Sequence, residues 1–194
     1  MNPVDYALLA KRAYTDAPTL GKPDSASRMH VYGDVHCFRG TDDLDSLLAD
    51  ADVLTVKVPA LGRVHAGFWN ALRVILPECL ALPLPRAVTG HSLGAALAIL
   101  YAGALAQRGH VIEVYAFEPP RLCMEGALQA LLTAWNVPWY ATRNGNDVVT
   151  EIPSLMSLPG ALTRIGKPTA PIPNLTDHSI DRVIAALAQE TPTP

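Results

Sequence analysis

The stretch VTGHSLGAALAIL, residues 88–100, decides the fold of this chain. Its centre, Gly90-His91-Ser92-Leu93-Gly94, has the G-x-S-x-G pattern of a nucleophile elbow, in which a serine lies on a strained turn between a strand and a helix. Glycine suits the flanking positions because the backbone approaches its neighbours closely there. Residues 86–89 predict a short buried strand, and residues 93–106 are apolar for long enough to form a helix. We therefore expect Ser92 to be a nucleophile with an exposed hydroxyl.

Helix-like and strand-like segments alternate along the rest of the chain. Helices are predicted over residues 4–14, 42–51, 67–80 (interrupted near Pro77), 93–106, 124–135 and 176–188, the last with Thr176 or Asp177 as N-cap. Strands are predicted over residues 29–38 (two, folded at Gly33-Asp34), 53–58, 86–89, 111–117 and 139–143, and the proline-rich residues 151–174 predict a long ordered loop. This alternation predicts one α/β domain over residues 1–194, with a mostly parallel central sheet flanked by helices.

Composition argues against several classes of protein. The chain has 194 residues, of which 49% are hydrophobic and 17% charged, so it can bury a substantial core without disulfides. A net charge of −3, with 15 scattered Lys and Arg residues, argues against a nucleic-acid partner. The first 14 residues lack the pattern of a secretory signal and residues 93–106 are too short to span a bilayer, so we expect a cytoplasmic protein without stable membrane insertion. Three separated cysteines, Cys37, Cys79 and Cys123, predict free thiols.

The order of residues along the chain selects a base for Ser92. A serine hydroxyl is a weak nucleophile at neutral pH and needs a base and an orienting acid, which follow the serine as acid and then histidine in α/β hydrolases. Of the six histidines, His110 and His178 follow Ser92, and no carboxylate lies between Ser92 and His110. The order therefore predicts His178 as the base. His91 adjoins the serine on the turn, so its side chain points elsewhere.

The choice of the acid is less constrained than that of the base. The carboxylates between Ser92 and His178 are Glu113, Glu118, Glu125, Asp147, Glu151 and Asp177. Asp147 is favoured because it follows a predicted strand, in a turn at the sheet edge where the active sites of open α/β sheets gather. Glu118, which ends the preceding predicted strand, is the alternative. Asp177 adjoins His178 and is poorly placed to accept a hydrogen bond from its ring.

Six ordered segments of the chain resemble the class 3, or fungal-type, lipases of the α/β-hydrolase fold. These segments are Phe38-Arg39-Gly40-Thr41, Val64-His65-Ala66-Gly67-Phe68, Thr89-Gly90-His91-Ser92-Leu93-Gly94, Phe117-Glu118-Pro119-Pro120-Arg121, Asn146-Asp147-Val148-Val149 and Asp177-His178-Ser179-Ile180. The resemblance implies that Ser92 is the nucleophile, Asp147 the acid and His178 the base. It also implies an oxyanion hole formed by the backbone N–H groups of Thr41 and Leu93. The implied substrate is a small-molecule ester or a lipid, and the chemistry needs no metal or organic cofactor.

The chain departs from this family pattern at three places. Ala95 stands where glycine is common, and Glu118 stands where the family usually has a small residue, so Glu118 is expected either to line the acyl site as a substrate-binding residue or to cap a loop. Residues 42–51 replace the amphipathic lid of fungal lipases, and their leucine face is expected to pack on the core. Without a mobile lid, short- or medium-chain esters are the favoured substrates, and residues 151–174 are expected to shape the acyl pocket.

Two other functions use the same features. An acyltransferase would have the same triad and pass the acyl group to an alcohol other than water. A lipase-like domain that only binds a partner is the second alternative, because a fold does not by itself imply an activity. The presence of Ser92, Asp147 and His178 together argues against this second alternative.

Overall fold

The computed structural model describes residues 1–43 and 54–190. The helix predicted over residues 42–51 therefore falls almost wholly outside the described residues. Within them, no helix is both long and apolar enough to cross a membrane.

The described residues form five α-helices and nine strands in alternation. The helices are α1 (Pro3–Arg12), α2 (Ala66–Ala81), α3 (Leu93–Ala106), α4 (Ala127–Ala134) and α5 (Ile180–Glu190). The strands are β1 (Leu20–Gly21), β2 (Arg28–Tyr32), β3 (Val35–Phe38), β4 (Thr55–Val58), β5 (Gly62–His65), β6 (Ala87–His91), β7 (Glu113–Phe117), β8 (Trp139–Asn144) and β9 (Thr163–Ile165). Short 3₁₀ turns cover Val149–Glu151 and Thr176–His178.

Seven of these strands form one sheet in the order β1-β2-β3-β6-β7-β8-β9. Neighbours from β3 to β9 run parallel, while β1, β2 and β3 pair antiparallel at one edge. Strands β4 and β5 form a separate antiparallel hairpin. The mostly parallel sheet predicted from the sequence is confirmed, and its carboxyl edge collects the ends of β6, β7 and β8.

Helices cover both faces of the sheet. Alternate side chains of β6 show the division: Val88 belongs to a hydrophobic cluster with α2, α3 and α4, and Ala87 to a second cluster with α1 and α5. All 14 residues of α3 are buried, because this helix lies between the sheet and its neighbours α2 and α4. A helix that is apolar on every side is expected in such a central position.

Several predicted elements differ from those in the structure, and three of the differences have a clear physical reason. Helix α2 continues through Pro77 without interruption, because Ile75 and Cys79 on either side of it are anchored in the core. The loop predicted over residues 151–174 contains β9, which pairs with β8 at the edge of the sheet. The last helix begins at Ile180 rather than at Thr176, because the Asp177 side chain hydrogen-bonds a neighbouring loop instead of capping the helix.

Candidate active site

Ser92 lies on a strained turn between β6 and α3. Its backbone angles, φ 58° and ψ −127°, are rare for a residue with a side chain, and its N–H donates to the Phe117 carbonyl at 2.9 Å. The flanking glycines have steric reasons. A Cβ at Gly90 would lie 2.4 Å from the Gly94 carbonyl carbon, and a Cβ at Gly94 would lie 2.1 Å from the Phe38 oxygen. The turn is therefore a nucleophile elbow in its backbone, as the motif predicts.

The hydroxyl of Ser92 is buried, so the expectation of an exposed hydroxyl is wrong. Among the described residues, neither Ser92 Oγ nor Nε2 of the buried His178 has a hydrogen-bond partner. Buried polar atoms are rarely left without a partner, and those that are often belong to functional sites. These two atoms are the pair between which a serine hydrolase transfers its first proton.

His178 is oriented by Asp147, and these are the two residues that the sequence predicts as base and acid. The ring Nδ1 lies 2.9 Å from Asp147 Oδ2, and both side chains are buried. The other carboxylate oxygen, Oδ1, accepts the Val149 N–H at 2.9 Å. Burial by itself would raise the pKa of Asp147, but hydrogen bonds from His178, Glu118 and Val149 together lower it. Asp147 is thus an ionised acceptor that holds Nδ1 and leaves Nε2 directed elsewhere.

His91 holds the backbone of His178 and does not act as a base. Its Nε2 donates to the His178 carbonyl at 2.8 Å, so its Nδ1 accepts from the Tyr14 hydroxyl, also at 2.8 Å. Burial lowers the pKa of His91 to about 3, so the ring stays neutral. The role of Tyr14 was not predicted, because nothing in the sequence just after α1 connects that residue with a turn 77 positions away.

Asp177 organises the turn that carries His178. Its carboxylate accepts hydrogen bonds from Asn146 N at 2.9 Å, Thr169 Oγ1 at 2.8 Å and Asn174 Nδ2 at 3.1 Å. Burial would raise its pKa, but these hydrogen bonds lower it. The carboxylate is directed away from the His178 ring, in agreement with the prediction that Asp177 is not the acid.

Glu118 lies behind Asp147, fully buried, at the end of β7. Its two carboxyl oxygens lie 2.8 and 3.0 Å from the Asn144 N–H, which donates to them. In the described structure the group faces the triad and β8, and its predicted contact with substrate stays a prediction.

Glu118, Asp147 and His178 have the composition of a metal site, with one atom from each within 4.8 Å of the others. Hydrogen bonds to His178 and Val149 already engage both Asp147 oxygens.

The two predicted oxyanion donors lie on segments that meet at the elbow. Leu93 is the first residue of α3, where backbone N–H groups have no partner within the helix. Thr41 follows Gly40, at which a Cβ would come within 2.7 Å of the His91 oxygen. Close contact of these two segments is the arrangement that an oxyanion hole from Thr41 and Leu93 requires; that role stays a prediction.

Two further histidines and the cysteines have places in the fold outside this cluster. His65 caps α2 by accepting the Phe68 N–H at 3.4 Å, and His36 contacts the Tyr101 hydroxyl at 3.3 Å. All three cysteines are free, as predicted, and they are buried, which raises the pKa of the Cys79 and Cys123 thiols to about 12.

Comparison with known families explains this arrangement. The family model of the class 3 lipases matches residues 35–157, which include Ser92 and Asp147. The chain belongs to the class 3 lipase family. The α/β-hydrolase fold expected from the sequence is confirmed, since solved lipases share it.

Individual relatives of this class 3 lipase family member are fungal. A lipase of Rhizomucor miehei is 30% identical over 132 residues, which are 60% of this chain and 36% of that relative, so the chain spans about a third of the relative's length. The crystal structure of a lipase from Rhizopus microsporus var. chinensis superposes with a TM-score of 0.71 at 19% identity, covering 91% of this chain and 84% of that one. The triacylglyceride lipase of R. miehei gives a TM-score of 0.70 at 18% identity, covering 91% of both chains.

Proposed function

We propose that this protein hydrolyses carboxylic esters through an acyl-enzyme formed on Ser92. The observation that supports this most directly is the combination of a strained serine elbow with a buried His178–Asp147 pair whose Nε2 is unpartnered in the described residues. The buried His30 also has an unpartnered Nε2 among the described residues, so it is the combination with the elbow and with Asp147 that distinguishes His178. Membership of the lipase family supports the same conclusion.

The mechanism follows from the roles of these groups. Nε2 of His178 takes the proton of Ser92 as Oγ attacks the ester carbonyl, and the resulting imidazolium is stabilised by Asp147. The backbone N–H groups of Thr41 and Leu93 stabilise the negative oxygen of the tetrahedral intermediate. His178 then protonates the leaving alcohol, and it acts as base again when water attacks the acyl-enzyme.

Short- or medium-chain acyl esters are the proposed substrates. The sequence leaves room for only about ten residues where fungal lipases carry a lid, and residues 151–174 are proposed to shape the acyl site. A cavity of about 370 Å³ lies beside this segment, but Arg121 and Arg143 on its wall make it a poor site for an acyl chain. We therefore propose that the acyl chain of the ester binds close to Ser92 and outside this cavity.

The test is hydrolysis of p-nitrophenyl esters from acetate to palmitate by the wild type and Ser92→Ala. We expect turnover that peaks at short chains and falls by at least about a thousandfold in Ser92→Ala, because no other group supplies the nucleophile. Ser25→Ala, in the turn before β2, is the matched control and should behave as the wild type.

Other outcomes of this assay separate the competing functions. A peak at long chains that rises above the solubility limit of the ester would contradict the proposed chain preference. Ester products formed with added alcohols in preference to free acid would identify an acyltransferase. Absence of turnover on every ester would contradict the proposed hydrolysis.

A further inference from the structure

A second buried carboxyl group stands next to the catalytic acid. Glu118 and Asp147 are both fully buried, and an oxygen of each lies within 4.8 Å of the other and of a His178 ring nitrogen. No other residue needs to move for the two carboxyl groups, this close together and both removed from water, to interact directly. A carboxylate has no hydrogen to donate, so a hydrogen bond between two carboxyl groups requires a proton on one of them.

The surroundings decide which carboxyl group carries the proton. Asp147 accepts from His178 and from Val149 N, so its negative charge is compensated by two donors. Glu118 receives the Asn144 N–H and, at 3.3 Å, the Thr142 hydroxyl, both of which are neutral groups. The guanidinium of Arg143, which lies between Thr142 and Asn144 on β8, pairs with the Glu151 carboxylate at 2.6 Å. Burial and the nearby Asp147 raise the pKa of Glu118 well above its ordinary value.

We propose that Glu118 is a protonated positioning residue that donates a hydrogen bond to Asp147 and so fixes the catalytic acid against His178. This inference rests on the proposed function of the same site. Asp147 is then held by three donors, His178 Nδ1–H, Val149 N–H and the Glu118 hydroxyl, and cannot rotate away from the imidazole. The donors of β8 hold the Glu118 carboxyl in turn, so the orientation of the base is tied to the central sheet.

The backbone conformation at Glu118 allows the side chain to be removed without adding strain. Its φ of 54° is in the left-handed region, which glycine adopts without strain, so Glu118→Gly removes the carboxyl group while relieving the backbone. Glu118→Gln is the conservative variant. Its amide oxygen can accept from Asn144 and Thr142 while its NH₂ group donates to Asp147, and it stays neutral at every pH.

The kinetic test compares kcat and KM of these variants on the ester that the wild type prefers. We expect Glu118→Gly to lower kcat by about 10- to 100-fold with KM changed by less than about threefold, because a positioning residue acts through the orientation of Asp147 on the chemical step. We expect Glu118→Gln to keep at least about a third of the wild-type kcat. A Glu118→Gly enzyme with wild-type kcat, or a Glu118→Gln enzyme as impaired as Glu118→Gly, would overturn the proposal.

The protonation state is tested by stability against pH, which does not depend on turnover. The folded-state pKa of Glu118 is raised, so its contribution to stability is fully present below the unfolded pKa of about 4.3 and is lost as pH rises through the folded pKa. Glutamine has no such loss. The Tm of Glu118→Gln should therefore rise relative to wild type between pH 4 and pH 8, whereas a constant difference would show that Glu118 is ionised and refute the proposed donor.

A proton NMR measurement keeps this inference separate from the proposed function. The low-field Nδ1–H signal of His178 reports its hydrogen bond to Asp147 whether or not an ester is cleaved. It should be present in wild type and Glu118→Gln and broadened or lost in Glu118→Gly. Absence of ester turnover in wild type with this pattern would refute the hydrolase and leave the positioning role standing; an unaltered signal in Glu118→Gly would refute the positioning role alone.

Discussion

At the scale of single residues, the candidate site depends on how burial and hydrogen bonds set the charge of each group. His91 is kept neutral by burial between Tyr14 and the His178 carbonyl, while Asp147 is kept ionised by its donors. The two histidines of the site thus have different tasks: His91 holds the backbone of His178, and His178 has an Nε2 without a partner among the described residues. The environment of each residue, and not its type, decides the task.

Asp147→Asn tests the assignment of the acid. An amide can present its NH₂ group to His178 Nδ1, which favours the wrong tautomer of the ring, so kcat should fall by about 10³- to 10⁴-fold with little change in Tm. Asp181→Asn is a matched control, because Asp181 is exposed and pairs only with Lys11 among the described residues. Steady-state kinetics on the preferred ester is the measurement, and near-normal activity of Asp147→Asn would transfer the role of acid to Glu118.

At the scale of elements, the short turn Thr176–His178 is held by side chains and not by a regular hydrogen-bond ladder. The Asp177 carboxylate joins this turn to Asn146 and Thr169, and Asn144 Nδ2 donates to the Asp177 carbonyl at 2.8 Å. Three loops at the carboxyl edge of the sheet are thereby fixed to each other. The position of His178 depends on this network, because helix α5 begins only after it, at Ile180.

Asp177→Asn should destabilise the protein at neutral pH by about 2 kcal/mol, or about 4–8 °C in Tm, because charge-assisted hydrogen bonds become neutral ones. The folded-state pKa of Asp177 is lowered, so its stabilisation is present above the unfolded pKa of about 3.9 and is lost as pH falls through the folded pKa. We expect the difference in Tm between wild type and Asp177→Asn, measured by thermal unfolding, to decrease as the pH falls from 7 to 2.5. A gap independent of pH would indicate lost packing instead.

At the scale of the whole molecule, α3 connects the nucleophile to the core. The helix that starts directly after Ser92 is buried on all sides, so the elbow is braced by the larger of the two hydrophobic clusters. Glycines at the elbow bring β3 and α3 to within backbone contact, which fixes the turn from outside. The strain at Ser92 is therefore balanced by packing distributed over the layer that contains α2, α3 and α4.

Leu100→Ala should lower the free energy of unfolding by about 2–5 kcal/mol, because Leu100 is fully buried at the centre of α3 and truncation leaves a cavity. The matched control is Leu8→Ala, also on a helix but 44% exposed, and we expect a change below about 1 kcal/mol there. Urea unfolding followed by circular dichroism measures both. Equal losses in the two variants would contradict the central place given to α3.

Chain order and local pattern determined much of this protein in advance. The glycine spacing around Ser92 predicted the elbow, the residues after it predicted the bounds of α3, and the order of carboxylates and histidines selected Asp147 and His178, which the structure brings to 2.9 Å. The elbow and the bounds of α3 are confirmed because they rest on local sterics, and Asp147 and His178 meet because the carboxyl ends of the strands lie at one edge; their catalytic roles stay predictions.

The tertiary structure alone decided the surroundings of these groups. Burial of the Ser92 hydroxyl, the contact of Tyr14 with His91, the course of α2 through Pro77 and the pairing of β9 all depend on partners distant in sequence. The place of Glu118 behind Asp147 is of the same kind. A carboxyl group has no fixed charge or role until its neighbours remove it from water, and those neighbours are assembled only when β7 and β8 pair.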